Sequence, residues 1–172
     1  SYARTLARTG HFYYHPDVRH LSTTAPFYGI LLALPALVGL DLPLASNIVG
    51  MASLWGSACC LYRLAGGWAS RAGARCAAVI LATAPLLWLN LGMETAFLLW
   101  LELATVLLYD RGRTTAAGAV AGLALVTRAD AAILIGLLTL HHLLMHRRFP
   151  WKAALACVAA AAPTLIFLVA QF

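Results

Sequence analysis

Apolar residues run in long blocks along this chain, at about 26–40, 43–65, 75–92, 93–109, 115–128, 130–146 and 150–171, with short polar breaks between them. Blocks of this kind predict membrane helices, and a full crossing needs about 20 residues. Block 26–40 is short and contains Pro35, so it reads as an interfacial or re-entrant helix. Segments 93–109 and 115–128 measure about 25 and 21 Å at about 1.5 Å per residue, less than the ~30 Å hydrocarbon core. Their polar outer ends are expected to sit below the membrane surface. The pattern predicts an all-α fold, a polytopic transmembrane helix bundle of about six crossings plus the interfacial or re-entrant helix. Residues 1–172 then form part of one transmembrane domain, with 1–25 as an extracytoplasmic loop and 43–171 as transmembrane helices.

Charge gives the blocks a direction. The clusters Arg63/Arg71/Arg75, Arg111/Arg113 and Arg147/Arg148/Lys152 hold eight of the twelve Lys and Arg residues, and such clusters face the cytoplasm. Running 43–65 inward and alternating thereafter puts all three inside. The outer face then receives 1–25, Asp41, Glu94 and the turn Thr127–Asp130, so four of the six acidic residues lie opposite the basic clusters.

Composition agrees. The 172 residues are 62% hydrophobic and 10% charged, with a mean hydropathy of +0.82, against about 25% charged in soluble domains. A net charge of +6 raises nucleic acid as a partner, but the cations sit between apolar spans rather than on a soluble face, so none is expected. Cys59, Cys60, Cys76 and Cys157 lie in or beside apolar segments and read as small hydrophobes, without disulfide or metal. The chain begins at Ser1 and ends at Phe172 inside an apolar run, which reads as a piece of something longer.

Within "WLNLGMETAFLLW" a single carboxylate, Glu94, interrupts the apolar run just after Gly92. Gly92 predicts a tight outer turn between two crossings, from which Glu94 can face a cavity or else the headgroups. A carboxylate within a bilayer costs about 2.5–3.5 kcal/mol on insertion scales and is commonly kept for a partner or a function. Glu102, deeper in the same helix, calls for a structural partner inside the bundle. In "VTRADA", Arg128 and Asp130 lie together at the same outer end, either paired with each other or with Arg128 facing a phosphate, which a planar multi-donor guanidinium suits.

The opening stretch puts Tyr2 and Leu6 on one side of a short helix and Arg4 and Arg8 on another, with Gly10 as its stop. Such a helix lies along the membrane interface. The His11–His15 run ends before Pro16 and favours an extended path. The Ser22-Thr23-Thr24 run before Pro26 reads as the cap of the next helix. His141 and His142 are adjacent and face different sides of a helix, which disfavours a shared metal. Gly118 and Gly122 form a small-xxx-small pattern for close helix contact.

The order of "YARTLARTGHFYYHP", "STTAPFYGILLALPALVGLDLPLA", "LNLGMETAF" and "AGLALVTRADAAIL" over residues 2–140 resembles the N-terminal membrane half of GT-C glycosyltransferases, especially the bacterial mannosyl- and arabinosyltransferase type. The resemblance implies transfer of a sugar from a polyprenyl-phosphate donor to a glycan, lipid or protein acceptor, at the outer face of the plasma membrane. It also implies an acidic pair ahead of Ser1 as the base, and gives Glu94 a catalytic role at the lipid phosphate or a divalent metal ion, Mg or Mn. Arg4, Arg8, Arg19 and Arg128 are the phosphate-binding candidates, with Asp130, His11 and Asp17 in support. The "TRAD" turn resembles a family "TRPD"-like element with Ala129 in the proline's place. Without the upstream acids, the 172 residues alone are expected to be inactive. A secondary transporter and a non-catalytic scaffold or flippase partner are the rival readings.

Overall fold

A computed structural model describes residues 2–9 and 25–171, and among them it is all helix and loop. The helices are α1 (Tyr2–Thr9), α2 (Pro26–Leu37), α3 (Leu42–Ala65), α4 (Arg71–Ala82), α5 (Pro85–Leu89), α6 (Glu94–Asp110), α7 (Thr114–Thr127), α8 (Ala131–His146) and α9 (Trp151–Val169). Proline sets three of the starts, in the first turn of α2, α3 and α5, where its missing N–H costs nothing. Three stretches are long and apolar enough to cross a membrane: α3, the α4–α5 pair over Arg71–Leu89, and α9. The expectation of about six crossings is therefore met in part. Helices α6, α7 and α8 have 17, 14 and 16 residues, and 14 residues span only about 21 Å.

One further expectation needs correction. The block 75–92 is not one helix but breaks between Ala82 and Pro85, because proline carries no N–H and clashes with the preceding turn. An opened carbonyl is answered locally: the Trp88 Nε1–H donates to the Ala82 carbonyl at 2.7 Å, while the Thr83 hydroxyl joins its own N–H on the Val79 carbonyl at 2.8 Å. The N-cap of α2 is Ala25, with no side-chain hydrogen bond, and the expected cap Ser22–Thr24 lies outside the described residues.

Burial is inverted relative to a water-soluble bundle. The most deeply buried side chains include Ser53, Ser57, Thr105 and Thr127, while Trp55, Ile80, Leu137 and Ile166 are turned outward. Each of those hydroxyls donates to the carbonyl four residues earlier, at 2.7–2.8 Å, so none of the four is carried inside unpaired; among the described residues the buried His142 Nδ1 is without a hydrogen-bond partner. Small residues at helix contacts and large apolar ones outside are what a hydrocarbon solvent selects. With three spanning stretches, this makes a multi-pass membrane protein.

The closest packing joins α7 to α9, where a Cβ on Gly118 would overlap the Ala153 carbonyl and one on Gly122 the Cys157 carbonyl. Residues advance in the same sense along both helices, so α7 and α9 run parallel. The pairs Gly50–Gly92 and Gly56–Trp100 show the same for α3 and α6. Arg128 meets Glu94, so α7 returns antiparallel to α6. The three basic clusters consequently share one end of the bundle and Gly92, Glu94, Arg128 and Asp130 the other, the segregation that the charge pattern predicts.

Candidate functional site at the acidic end

The site is built on a turn. Residues Asn90–Met93 link α5 to α6, and Gly92 adopts φ +91°, which a side chain would strain. A Cβ there would also come within 2.7 Å of Asn47 Oδ1 and 3.1 Å of Ser46 Oγ. The glycine lets the turn seat against α3. From α2, the Tyr28 hydroxyl donates to the Gly92 carbonyl at 3.1 Å, and the Tyr28 and Phe27 rings pack on Phe97 with centroids 5.8 and 6.2 Å away. At 12 residues, α2 is about 18 Å long, too short to cross, and it closes over the start of α6.

Glu94 is the first residue of α6, where the positive end of the helix dipole favours a carboxylate. Its side chain is 16% exposed, and Arg128 Nη1 lies 3.6 Å from its Oε1. The same guanidinium grips Asp130 with two nitrogens, Nε to Oδ1 at 3.3 Å and Nη2 to Oδ2 at 3.2 Å. Of the sequence readings of Arg128, the pairing with Asp130 is seen, and the guanidinium faces Glu94 besides. Ala129 does not prevent the turn from presenting both groups.

Beside Glu94 opens a cavity of about 680 Å³, lined among others by Arg4, Tyr28, Ser46, Asn47, Gly92 and Glu94. Arg128 and Asp130 do not line it; they stand behind Glu94. Helix α1 packs on α2 with Ala3 buried and Arg4 exposed, so Arg4 is the described cation on the cavity wall. Arg8 contributes only its backbone to the description, and Arg19, His11 and Asp17 lie outside the described residues. Burial, with Glu94 adding to it, pushes the Tyr28 phenol up to about 12. It stays a hydrogen-bond donor throughout the physiological range.

A divalent ion does not fit these residues by themselves. One cavity carboxylate is present, its neighbour at 3.6 Å is a guanidinium, and hard cations want several oxygen ligands. Among the described residues no group of three or more His, Cys, Asp or Glu is placed to hold a metal. His141 Nδ1 is 2.8 Å from the Tyr109 hydroxyl, while the His142 ring meets His146 at 4.4 Å. Glu102 has no hydrogen bond or ion pair among the described residues.

Tyr28, Ser46 and Asn47 were not legible as site residues. The signal was present, a polar Ser-Asn pair in an otherwise apolar block and an aromatic two residues after Pro26. Only the packing of α2 and α3 against the Gly92 turn gives it meaning. Compared with family models, curated proteins and solved structures, the chain matches none of them.

Proposed function

We propose that the chain is part of a membrane glycosyltransferase of GT-C type, moving a sugar from a polyprenyl-phosphate donor to a glycan, lipid or protein acceptor at the extracytoplasmic face of the plasma membrane. The observation that carries this reading is Glu94, ion-paired to Arg128 outside the cavity, on the wall of a cavity that Arg4 also lines. Sugar transfer from a lipid phosphate needs cationic help for the leaving phosphate and a fixed carboxylate near the sugar. On this reading Arg4 meets the phosphate from α1. Arg128, held between two carboxylates, fixes the orientation of Glu94. The base for the acceptor is the acidic pair that the resemblance puts ahead of Ser1. Glu94, Arg128 and Asp130 sit at helix ends and only Glu102 of the acids in the helices lies mid-helix among the described residues, whereas a secondary transporter gathers its coupling residues near the membrane midplane, which favours the transferase.

The test is transfer of labelled sugar from a polyprenyl-phosphate donor by the full-length protein in membrane vesicles. Glu94→Gln is expected to lower turnover at least tenfold and Arg4→Gln to raise the donor KM, with the amount of folded protein unchanged. Unaltered turnover and donor KM in Glu94→Gln would return Glu94 to an interfacial role.

A further inference from the structure

A second cavity, of about 250 Å³, opens in the basic half of the bundle between α6, α7, α8 and α9. Its wall is almost wholly apolar and includes Thr105, Tyr109, Thr114, Phe149, Ala153 and Cys157. The Thr105 hydroxyl is already committed to the Leu101 carbonyl at 2.8 Å, so water entering here would find few partners. Apolar cavities of this size stay dry and accept apolar guests. The gap exists because α8 leans on the bundle mainly through α7, leaving its flank open toward α9.

Cations adjoin the wall residues along the chain at this end. Arg113 precedes the wall residue Thr114, Arg148 precedes Phe149 and Lys152 precedes Ala153, and all three side chains are exposed. The helix starts add to the field. α7 and α9 are parallel and in the closest contact of any pair, so their N-termini lie side by side, with no acidic residue in either first turn and no side-chain cap on either. Two positive dipole ends side by side favour an anion between them. Asp110 is the carboxylate at this end among the described residues, against the eight cations of the three clusters.

We infer that this cavity binds one anionic phospholipid of the adjoining leaflet, its acyl chain between α8 and α9 and its phosphate at Arg113, Arg148 and Lys152. An apolar slot whose wall residues adjoin exposed cations matches that molecule and no water-soluble anion, which would leave the slot empty. The inference does not rest on the Glu94 site, and the two can fail separately.

Native mass spectrometry of the delipidated full chain in detergent, titrated with dioleoyl-phosphatidylglycerol or dioleoyl-phosphatidylcholine, tests it. One phosphatidylglycerol is expected to be held at least tenfold more tightly than phosphatidylcholine. Arg113→Gln with Lys152→Gln, both at exposed positions, is expected to remove that preference while leaving phosphatidylcholine binding unchanged. Filling the slot with Ala154→Leu is expected to weaken both lipids. Equal retention of the two lipids by the wild type overturns the proposal, as does a slot that takes no lipid because another helix of the full chain fills it. A preference that survives the double substitution overturns the headgroup assignment.

Discussion

Arg128 Nη1 stands 3.6 Å from Glu94 Oε1 and ties the C-terminal end of α7 to the first residue of α6. The pair is partly exposed, at 37% and 16%, so its worth is modest, about 1 kcal/mol. A double-mutant cycle with Glu94→Gln and Arg128→Gln, read by thermal unfolding in detergent, is expected to give a coupling of that size. Arg128→Gln alone is expected to cost more than Glu94→Gln, since it leaves Glu94 and Asp130 facing each other without their shared cation. A coupling of zero would mean the contact does not hold Glu94 in place.

Gly92→Ala is expected to destabilise the protein by about 1–3 kcal/mol, from the left-handed backbone and from the 2.7 Å approach to Asn47 Oδ1. Adding Asn47→Ala relieves the second cause and leaves the first, so the double variant should recover only part of the loss. Full recovery would show that crowding alone requires the glycine.

Gly118→Ala and Gly136→Ala should differ in sign. The first drives a methyl into the Ala153 backbone and forces α7 from α9, whereas a Cβ at Gly136 meets nothing within 4 Å. Overpacking of this kind costs about 1–3 kcal/mol, while an exposed helical Gly→Ala is neutral or stabilising by up to about 1 kcal/mol. Melting temperatures of the two variants decide it, and an unchanged Gly118→Ala would disprove the close α7–α9 contact.

Tyr28 makes a pH prediction. Its phenol is raised from an ordinary 10.0 to about 12, so the folded state holds that proton more tightly than the unfolded chain does. The associated stability is present in full below pH 10 and is lost as pH rises from about 10 to 12. Difference absorbance at 295 nm between wild type and Tyr28→Phe should show one tyrosine titrating near the top of that window. Tyr28→Phe should also flatten the alkaline fall in stability, while losing about 1 kcal/mol at neutral pH with the hydrogen bond to Gly92.

The sequence by itself determined the all-α class, the approximate limits of most helices and the segregation of charge. A hydrocarbon solvent imposes long apolar blocks, and the polar breaks between them mark where the chain returns to water. Glu94 and Arg128 could be assigned to one end because the alternation of spans leaves little freedom once the basic clusters share the other. The turn at Gly92 was legible for the same reason.

Tertiary structure alone decided what those residues touch. The charge pattern could not tell whether Arg128 faces Asp130, Glu94 or a ligand, and the guanidinium reaches both acids because α7 docks its C-terminal end against the start of α6. Nor could it supply Tyr28 or Asn47, whose roles depend on α2 and α3 converging on one carbonyl and one glycine. The break at Pro85 appears within a block whose hydropathy is uniform, since backbone hydrogen bonding rather than apolarity ends that helix. In lipid every segment is apolar, so hydrophobicity places a helix in the membrane but does not choose its neighbour. That choice falls to small residues such as Gly118 and Gly122, through contacts that exist only once two backbones are close.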